Sequence, residues 1–118
     1  MKVEEYAIQG ATLLELHGEL NFSSRQDFMA AIHQTARSDY AHVIVDLQGI
    51  TAIDDSALSL LVIAHQKLIQ HHHRLSLINP SEHLAGQLHS MKFPRIIPIY
   101  ASLEEALKRK ISPVTLVN

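Results

Sequence analysis

The sequence predicts an α/β protein: one domain over residues 1–118, with a mixed, mostly parallel sheet of four to five strands, about four helices and an N-terminal hairpin. Two observations indicate this class. Residues 3–8 and 11–16 are β-prone runs separated by two residues, which is the spacing of a hairpin. Strand-like and helix-like segments alternate in the rest of the chain, and this alternation implies parallel strands joined by helical crossovers.

The first helix and the central strand follow the hairpin. Residues 23–37 are predicted to be helical because apolar residues recur on one stripe, and Ser24 and Asp27 have the spacing of an N-terminal capping box. The stripe consists of Phe28, Ile32 and Ala36. Residues 43–47 are almost continuously apolar and β-branched, which is typical of a strand covered on both faces. We therefore expect this strand at the centre of the sheet.

The second helix is predicted from about Ser56 to Gln70 and is unusually apolar. Five residues form the stripe expected to face the sheet: Leu58, Leu61, Val62, Leu68 and Ile69. Four more apolar residues fall on the flanks and the far side: Ala57, Leu60, Ile63 and Ala64. Either neighbouring helices cover these four residues, or they form a surface for a protein partner, since exposed apolar patches tend to mark contacts.

The remaining segments continue the alternation. Residues 75–78 are a predicted strand, residues 81–90 a short helix, and residues 96–100 an edge strand, because prolines flank and interrupt it. A final helix is predicted over residues 102–110, where Ser and Glu repeat the capping-box spacing. The apolar tail at 114–118 is not assigned to an element.

Composition excludes several classes of function. The formal net charge is −2, without the basic excess that binding to a nucleic-acid backbone requires. No cysteine is present, which excludes a disulfide framework, a thiolate nucleophile and a Cys-ligated metal. Apolar runs fall far short of the roughly 18 residues of a membrane-spanning helix, so we expect a cytoplasmic protein without membrane insertion. The common enzyme motifs are absent, and we expect neither catalysis nor a cofactor.

Nine histidines are a high number for this length, and residues 71–73 are consecutive histidines. Adjacent residues on a helix point in different directions, so we expect adventitious rather than functional metal binding there. His65 is expected on the core side of the second helix, partly buried and with its hydrogen bonds satisfied. Three others are expected on solvated helix faces: His33, His83 and His89.

Residues 43–68, VIVDLQGITAIDDSALSLLVIAHQKL, resemble the STAS family, the sulfate transporter and anti-sigma factor antagonist domain. In that family a buried strand ending in V-[DN]-L-x-G-[VI] precedes an aspartate, a phosphorylatable Ser or Thr, and a helix. Three further segments resemble the family in the same order: HGELN at 17–21, LSLINPS at 75–81 and IYASLEEAL at 99–107. The resemblance covers the whole chain and implies the STAS fold.

By position, the resemblance implies that Ser56 is the phosphoacceptor. Together with the apolar flank of the second helix, it predicts a partner surface formed by Asn21, Asp54, Asp55, Ser56, Ala57, Leu60 and Ile63. Three of these residues depart from the family pattern. Asp55 and Ala57 stand where D-S-[ST]-G is usual, and Asn21 stands where the G-E-L-D element has its aspartate. All three changes lie at or near the acceptor.

The resemblance implies a protein-binding module similar to bacterial anti-sigma factor antagonists. In those proteins the unphosphorylated form binds a kinase-type anti-sigma factor, which uses ATP to phosphorylate the conserved Ser, and a phosphatase reverses the modification. One alternative is a constitutive scaffold subunit, similar to the small STAS component of a bacterial lipid-transport ABC complex, that contacts the transporter ATPase. Another is a subunit of a stressosome-like assembly.

A serine at a helix start also has a purely structural use, since its side chain can cap a free backbone N–H. Phosphorylation there adds about −1.5 to −2 charges, which the helix N-terminus partly stabilises. The same charge beside Asp54 and Asp55 opposes a docking partner, because like-charge contacts across an interface are costly. Ser56 is therefore suited to a switch that changes binding while the domain stays folded.

Overall fold

The computed structural model describes residues 1–108. The strands are β1 (Lys2–Ile8), β2 (Ala11–Leu20), β3 (His42–Ile53), β4 (Arg74–Ile78) and β5 (Ile99–Tyr100). They form one five-stranded sheet in the order β1-β2-β3-β4-β5. β1 and β2 are an antiparallel hairpin, and β3, β4 and β5 are added in parallel to β2. The predicted α/β class, hairpin and mostly parallel sheet are confirmed.

Within residues 1–108 the helices follow the predicted order. They are α1 (Arg25–Ala36), α2 (Asp55–Gln70), α3 (Glu82–Ser90) and α4 (Leu103–Lys108). No helix in this part of the chain is both long enough and apolar enough to cross a membrane. The predicted end of the last helix at residue 110 and the tail at 114–118 lie outside the described residues.

The two faces of the sheet are covered unequally. α1, α2 and α3 bury the main core against one face, on which alternate strand residues point inward. These include Leu14, Leu16, Val43, Val45, Leu47, Leu75 and Leu77. α4 covers part of the opposite face, over Ala11, Leu13, Ile44 and Ile78. The central strand β3 is thus buried on both faces, as its composition predicts, whereas much of β1 is exposed.

The central strand is longer than the sequence predicts. The apolar run at 43–47 is confirmed as a strand, but β3 continues through Gly49 to Ile53 as a partner of β2, with two irregularities in the register. A Cβ atom at Gly49 would lie 2.6 Å from the Leu16 carbonyl oxygen, so the close approach of the two strands requires glycine there. The extension carries the chain to the edge of the sheet where α2 begins.

The start of the first helix differs from the prediction. The Ser24 side chain does not cap α1, so a capping box of Ser24 and Asp27 was wrong. A 3-10 turn over Phe22–Ser24 precedes α1, and Asn21 and Ser24 cap this turn reciprocally. The Ser24 N–H donates to Asn21 Oδ1 at 3.1 Å, and the Asn21 N–H donates to Ser24 Oγ at 3.0 Å. The predicted apolar stripe of α1 is buried: Phe28, Ile32 and Ala36.

The faces of α2 also differ from the prediction. Of the two alternatives for the flank residues, cover by a neighbouring helix holds for Ala57, Leu60 and Ala64, whose relative exposures are 0%, 5% and 0%. Ile69 was expected in the core stripe and is 51% exposed. The reason is that α1 packs along α2, so the helix is covered both by the sheet and by its neighbour. Ile63 alone among the four flank residues is exposed.

The last elements agree with the sequence except at the edge of the sheet. The bounds of β4 and α3 are close to those predicted, and Ser81 Oγ caps α3 by accepting the Leu84 N–H at 3.1 Å. β5 is an edge strand as predicted, but it contains only Ile99–Tyr100. A 3-10 turn over Phe93–Arg95 precedes it, in the segment where prolines limit strand pairing.

Candidate functional site

The end of the central strand and the start of α2 meet at one edge of the sheet. β3 ends at Ile53, Asp54 precedes α2, and Asp55 and Ser56 are its first two residues. In open α/β sheets, ligands and partners bind outside the carboxyl ends of parallel strands, which is where these residues lie. The structure therefore brings the predicted acceptor and its two acidic neighbours together at such an edge.

Asp54, rather than Ser56, caps α2. Asp54 Oδ1 accepts the Ala57 backbone N–H at 2.9 Å and the Ser56 hydroxyl at 2.7 Å. The capping role considered for Ser56 was wrong, because the helix begins at Asp55 and the capping position is the residue before it. The Ser56 hydroxyl is consequently bonded to a carboxylate instead of to a backbone N–H.

These two hydrogen bonds change the acidity of Asp54. They hold the pKa of its carboxyl group below the ordinary value of 3.8, the bond from Ser56 contributing most and that from the Ala57 N–H next. Asp54 is therefore a carboxylate at neutral pH. It accepts the hydrogen bond from the Ser56 hydroxyl and so fixes the orientation of that hydroxyl.

One face of α2 extends the site along the helix. Asp54 and Asp55 are exposed and Ser56 is half-buried, while Ser59 and Ile63 are exposed further along. Ile63 follows Ser56 by two helical turns, so the two residues share a face and lie about 10 Å apart along the helix axis. Ile63 is 48% exposed, and this face therefore offers apolar surface beside the charged helix start.

Asn21 approaches the same edge from the end of β2. Together with Glu19, Leu20, Ile53 and Asp54 it lines a shallow depression of about 160 Å³. Its side-chain amide donates to Glu19 Oε1 at 3.3 Å, while its side-chain oxygen caps the 3-10 turn before α1. Asn21 and Asp54, which are 33 residues apart in the chain, are thus neighbours at the site.

Two of the predicted contact residues do not reach the surface. Ala57 is fully buried and Leu60 is 5% exposed. Both belong to the main core under α2. They support the exposed residues of the helix from below and offer no side-chain surface of their own in this conformation.

Phe22 extends the exposed surface and was not identified from the sequence. It follows Asn21 directly and is 66% exposed. The guanidinium of Arg25 lies over its ring, 4.7 Å from the centroid. Its position in the sequence could have indicated exposure, since Phe22 lies outside the apolar helical stripe to which Phe28 belongs. Exposed aromatic and arginine side chains are enriched at protein interfaces.

A second depression lies on the other side of Ile53. It also measures about 160 Å³ and lies between the extended end of β3 and the first turns of α3, with Thr51, Ser81 and His83 in its walls. The end of β3 is therefore flanked by two shallow depressions. One depression lies toward the end of β2 and the other toward α3.

His65 on α2 is partly buried, as predicted. Its Nδ1 atom is buried and has no hydrogen-bond partner among the described residues, so the expectation of a satisfied histidine was wrong. Burial lowers the pKa of the imidazole from the ordinary value of 6.5. The three histidines predicted on solvated helix faces are exposed: His33, His83 and His89.

The histidine run at 71–73 lies in the turn between α2 and β4. His73 Nδ1 is 2.8 Å from the His71 carbonyl oxygen, and His73 Nε2 is 2.9 Å from the Ser38 carbonyl oxygen. This ring therefore connects the turn after α2 with the turn after α1. These contacts with the backbone give one of the three histidines a structural role.

The fold and the site define an α/β module with an exposed, acidic helix start and an apolar helix face beside it. The STAS domain matches residues 2–106, and the chain belongs to this family. The resemblance identified from the sequence is thereby confirmed. No curated protein matches the chain by sequence.

Solved structures of STAS proteins share this fold. A proposed anti-sigma factor antagonist from Thermotoga maritima has 20% identity and a TM-score of 0.80, over 90% of this chain and 92% of that chain. The unphosphorylated form of the Bacillus anti-sigma factor antagonist SpoIIAA has 19% identity and a TM-score of 0.73, over 95% and 100%. The murine anion transporter Slc26a9 has 15% identity and a TM-score of 0.74, over 87% of this chain and 18% of that chain. These likenesses establish the fold.

Proposed function

We propose that this chain is a phosphorylation-switched protein-binding module that binds a kinase-type anti-sigma factor while Ser56 is unphosphorylated. The observation that carries the proposal is the position of the Ser56 hydroxyl at the start of α2, where it is hydrogen-bonded to Asp54 at the carboxyl edge of the sheet. SpoIIAA, which has the same fold, has structures in both unphosphorylated and phosphorylated forms. ATP binds to the kinase partner. Because this partner acts on a sigma factor, we expect the complex to lie in the cytoplasm.

Phosphorylation removes the hydroxyl proton with which Ser56 bonds to Asp54. The hydrogen bond is then lost, and about −1.5 to −2 charges are added beside Asp54 and Asp55. Free N–H groups in the first turn of α2 stabilise a negative charge there by about 0.3–1 kcal/mol. The domain should therefore remain folded after modification, and the effect falls on the interface.

The proposed partner surface combines acidic and apolar groups around Ser56. Its exposed or half-buried members are Asn21, Phe22, Asp54, Asp55, Ser56 and Ile63. A partner must desolvate this surface, and a dianion at its centre adds like-charge repulsion that costs several kcal/mol. Since each 1.4 kcal/mol is about tenfold in affinity, the switch can change binding by orders of magnitude.

A constitutive scaffold subunit of a lipid-transport ABC complex is the second candidate, and the departures at Asp55 and Ala57 favour it. Asp55 places a permanent carboxylate beside the acceptor, and Ala57 is buried where the family pattern has glycine. In this case the chain contacts a transporter ATPase whatever the state of Ser56. A stressosome-like subunit, in contrast, would form large particles in size-exclusion chromatography.

A native pulldown followed by mass spectrometry distinguishes these candidates, because it identifies the partner and the state of Ser56 together. We expect a serine kinase that also binds a sigma factor, with a cognate phosphatase that removes phosphate from Ser56. Recovery of a membrane-transporter ATPase with unmodified Ser56 would support the scaffold candidate and contradict the switch.

Purified partner and ATP test the switch directly. We expect one phosphate on Ser56 in the wild-type chain and none in Ser56→Ala, and we expect Ser56→Asp to lower partner affinity about 100-fold. Ser59→Ala is the matched control, since Ser59 is exposed one turn further along α2 and should leave phosphorylation unchanged. Phosphate found only on another residue, or tight binding by Ser56→Asp, would refute the proposal.

A further inference from the structure

Three metal-ligating side chains lie together on the β1–β2 hairpin, on the sheet face opposite α2. Glu4 of β1 is directly across from Glu15 of β2, and His17 follows Glu15 by two residues. Because side chains alternate along a strand, all three project from the same face. α4 covers this face only further along the hairpin, over Ala11 and Leu13, so the three side chains remain partly exposed.

Their ligand atoms converge. His17 Nε2 lies 3.1 Å from Glu4 Oε1 and 3.9 Å from Glu15 Oε1. One ligand atom from each of the three residues lies within 4.8 Å of the others. A tetrahedral ion with bonds of about 2.0–2.1 Å holds its ligand atoms about 3.3–3.4 Å apart. The two separations from His17 Nε2, 3.1 and 3.9 Å, lie on either side of this spacing.

The charges in this cluster favour a cation. Glu4 and Glu15 are like charges directly across from each other, an arrangement that destabilises a strand pair. Lys2 offsets part of the charge, with Nζ 3.8 Å from Glu4 Oε2, and leaves Oε1 directed to His17.

The neighbouring strand provides the space for the histidine ring. Gly49 of β3 pairs with His17, and a Cβ atom at Gly49 would lie 2.9 Å from His17 Nδ1. The ring thus occupies space that a side chain on β3 would fill, with Nε2 directed to the glutamates. Asp46 on the same strand is already engaged, since its Oδ1 accepts from the Gln48 N–H at 2.9 Å and from Asn79 Nδ2 at 3.3 Å.

We propose that Glu4, Glu15 and His17 form a binding site for a divalent transition-metal ion, Zn²⁺ in the first place. One imidazole nitrogen and two carboxylate oxygens are ligands that Zn²⁺ accepts, and three protein ligands leave one coordination position for water. The ion replaces the proton between His17 and Glu4, and its charge neutralises the two carboxylates.

Calorimetric titration of Zn²⁺ into the metal-free full chain, prepared without an affinity tag, tests the site. We expect one ion to bind at this site, with an affinity that falls about 10-fold or more in each of three variants: Glu4→Gln, Glu15→Gln and His17→Gln. The replacements keep the side chains polar and of similar size. His72→Gln is the matched control, since the run at 71–73 is the competing imidazole source, and it should leave this affinity unchanged.

Thermal unfolding provides a second readout on the same proteins. An ion that binds only the folded chain raises its Tm, so excess Zn²⁺ should stabilise the wild-type chain and His72→Gln more than Glu15→Gln. Circular dichroism without metal establishes that the variants are folded. Equal Zn²⁺ affinity in the wild-type chain and in all three hairpin variants, or a loss of affinity confined to His72→Gln, would overturn the proposal.

Discussion

A single side chain, Asp54, links the start of α2 to the chemistry of the proposed phosphoacceptor. Its Oδ1 atom accepts both the Ala57 N–H and the Ser56 hydroxyl. The same atom therefore caps the helix and positions the hydroxyl. A change at Ser56, by mutation or by phosphorylation, therefore acts first on the hydrogen bond to Asp54.

Ser56→Ala removes the hydrogen bond that contributes most to the lowered pKa of Asp54. We expect the pKa of the Asp54 carboxyl group to rise toward 3.8 in this variant, because the remaining bond from Ala57 stabilises the carboxylate less. Titration of the side-chain carboxyl carbon by NMR measures the change. Ser59→Ala serves as the control, and an Asp54 pKa that is the same in Ser56→Ala and in the wild-type chain would contradict the assigned hydrogen bond.

At the scale of an element, α2 has one face for the fold and another for the proposed partner. Leu60 packs in the main core, whereas Ile63, less than one turn further, is exposed. Both residues are large and aliphatic, and the sequence predicted both to lie on the same surface. The two residues differ because Leu60 belongs to the core that α1, α2 and the sheet share, whereas Ile63 does not.

Leu60→Ala and Ile63→Ala should therefore have opposite consequences. We expect Leu60→Ala to lower the free energy of unfolding by about 2–5 kcal/mol, because it leaves a cavity in the core. Ile63→Ala should change it by no more than about 0.5 kcal/mol and should weaken partner binding instead. Urea unfolding and a partner titration measure the two effects. Equal destabilisation by both variants would show that Ile63 is covered.

For the molecule as a whole, folding changes the proton binding of Asp54, just before α2, and of His65 within it. The pKa of Asp54 is lowered by hydrogen bonds, and that of His65 is lowered by burial. In both cases the unfolded chain binds a proton at a higher pH than the folded chain. The contribution of each group to stability is therefore present above its ordinary pKa and is lost as the pH falls through the folded value.

We expect the free energy of unfolding to decrease as the pH falls below 6.5, because His65 is protonated more readily in the unfolded chain. His65→Leu should reduce this decrease, since it removes both the titrating group and a buried Nδ1 without a hydrogen-bond partner among the described residues. Urea unfolding on either side of pH 6.5 measures the difference. His83→Gln, at an exposed position on α3, is the control for loss of a histidine; an unchanged pH dependence in His65→Leu would contradict this assignment.

Local patterns in the chain were enough to predict the class, the order of elements and the position of Ser56 near the start of α2. The two-residue turn, the β-branched run at 43–47 and the repeating apolar residues each act over a few neighbouring residues, and the family motif around Ser56 is equally local. Three features were not predicted from the sequence. Asp54 rather than Ser56 caps α2, Leu60 is buried, and Glu4 lies beside Glu15 and His17. These depend on where a strand stops, which helix packs alongside and how two strands are registered, and such contacts are set only when distant parts of the chain come together.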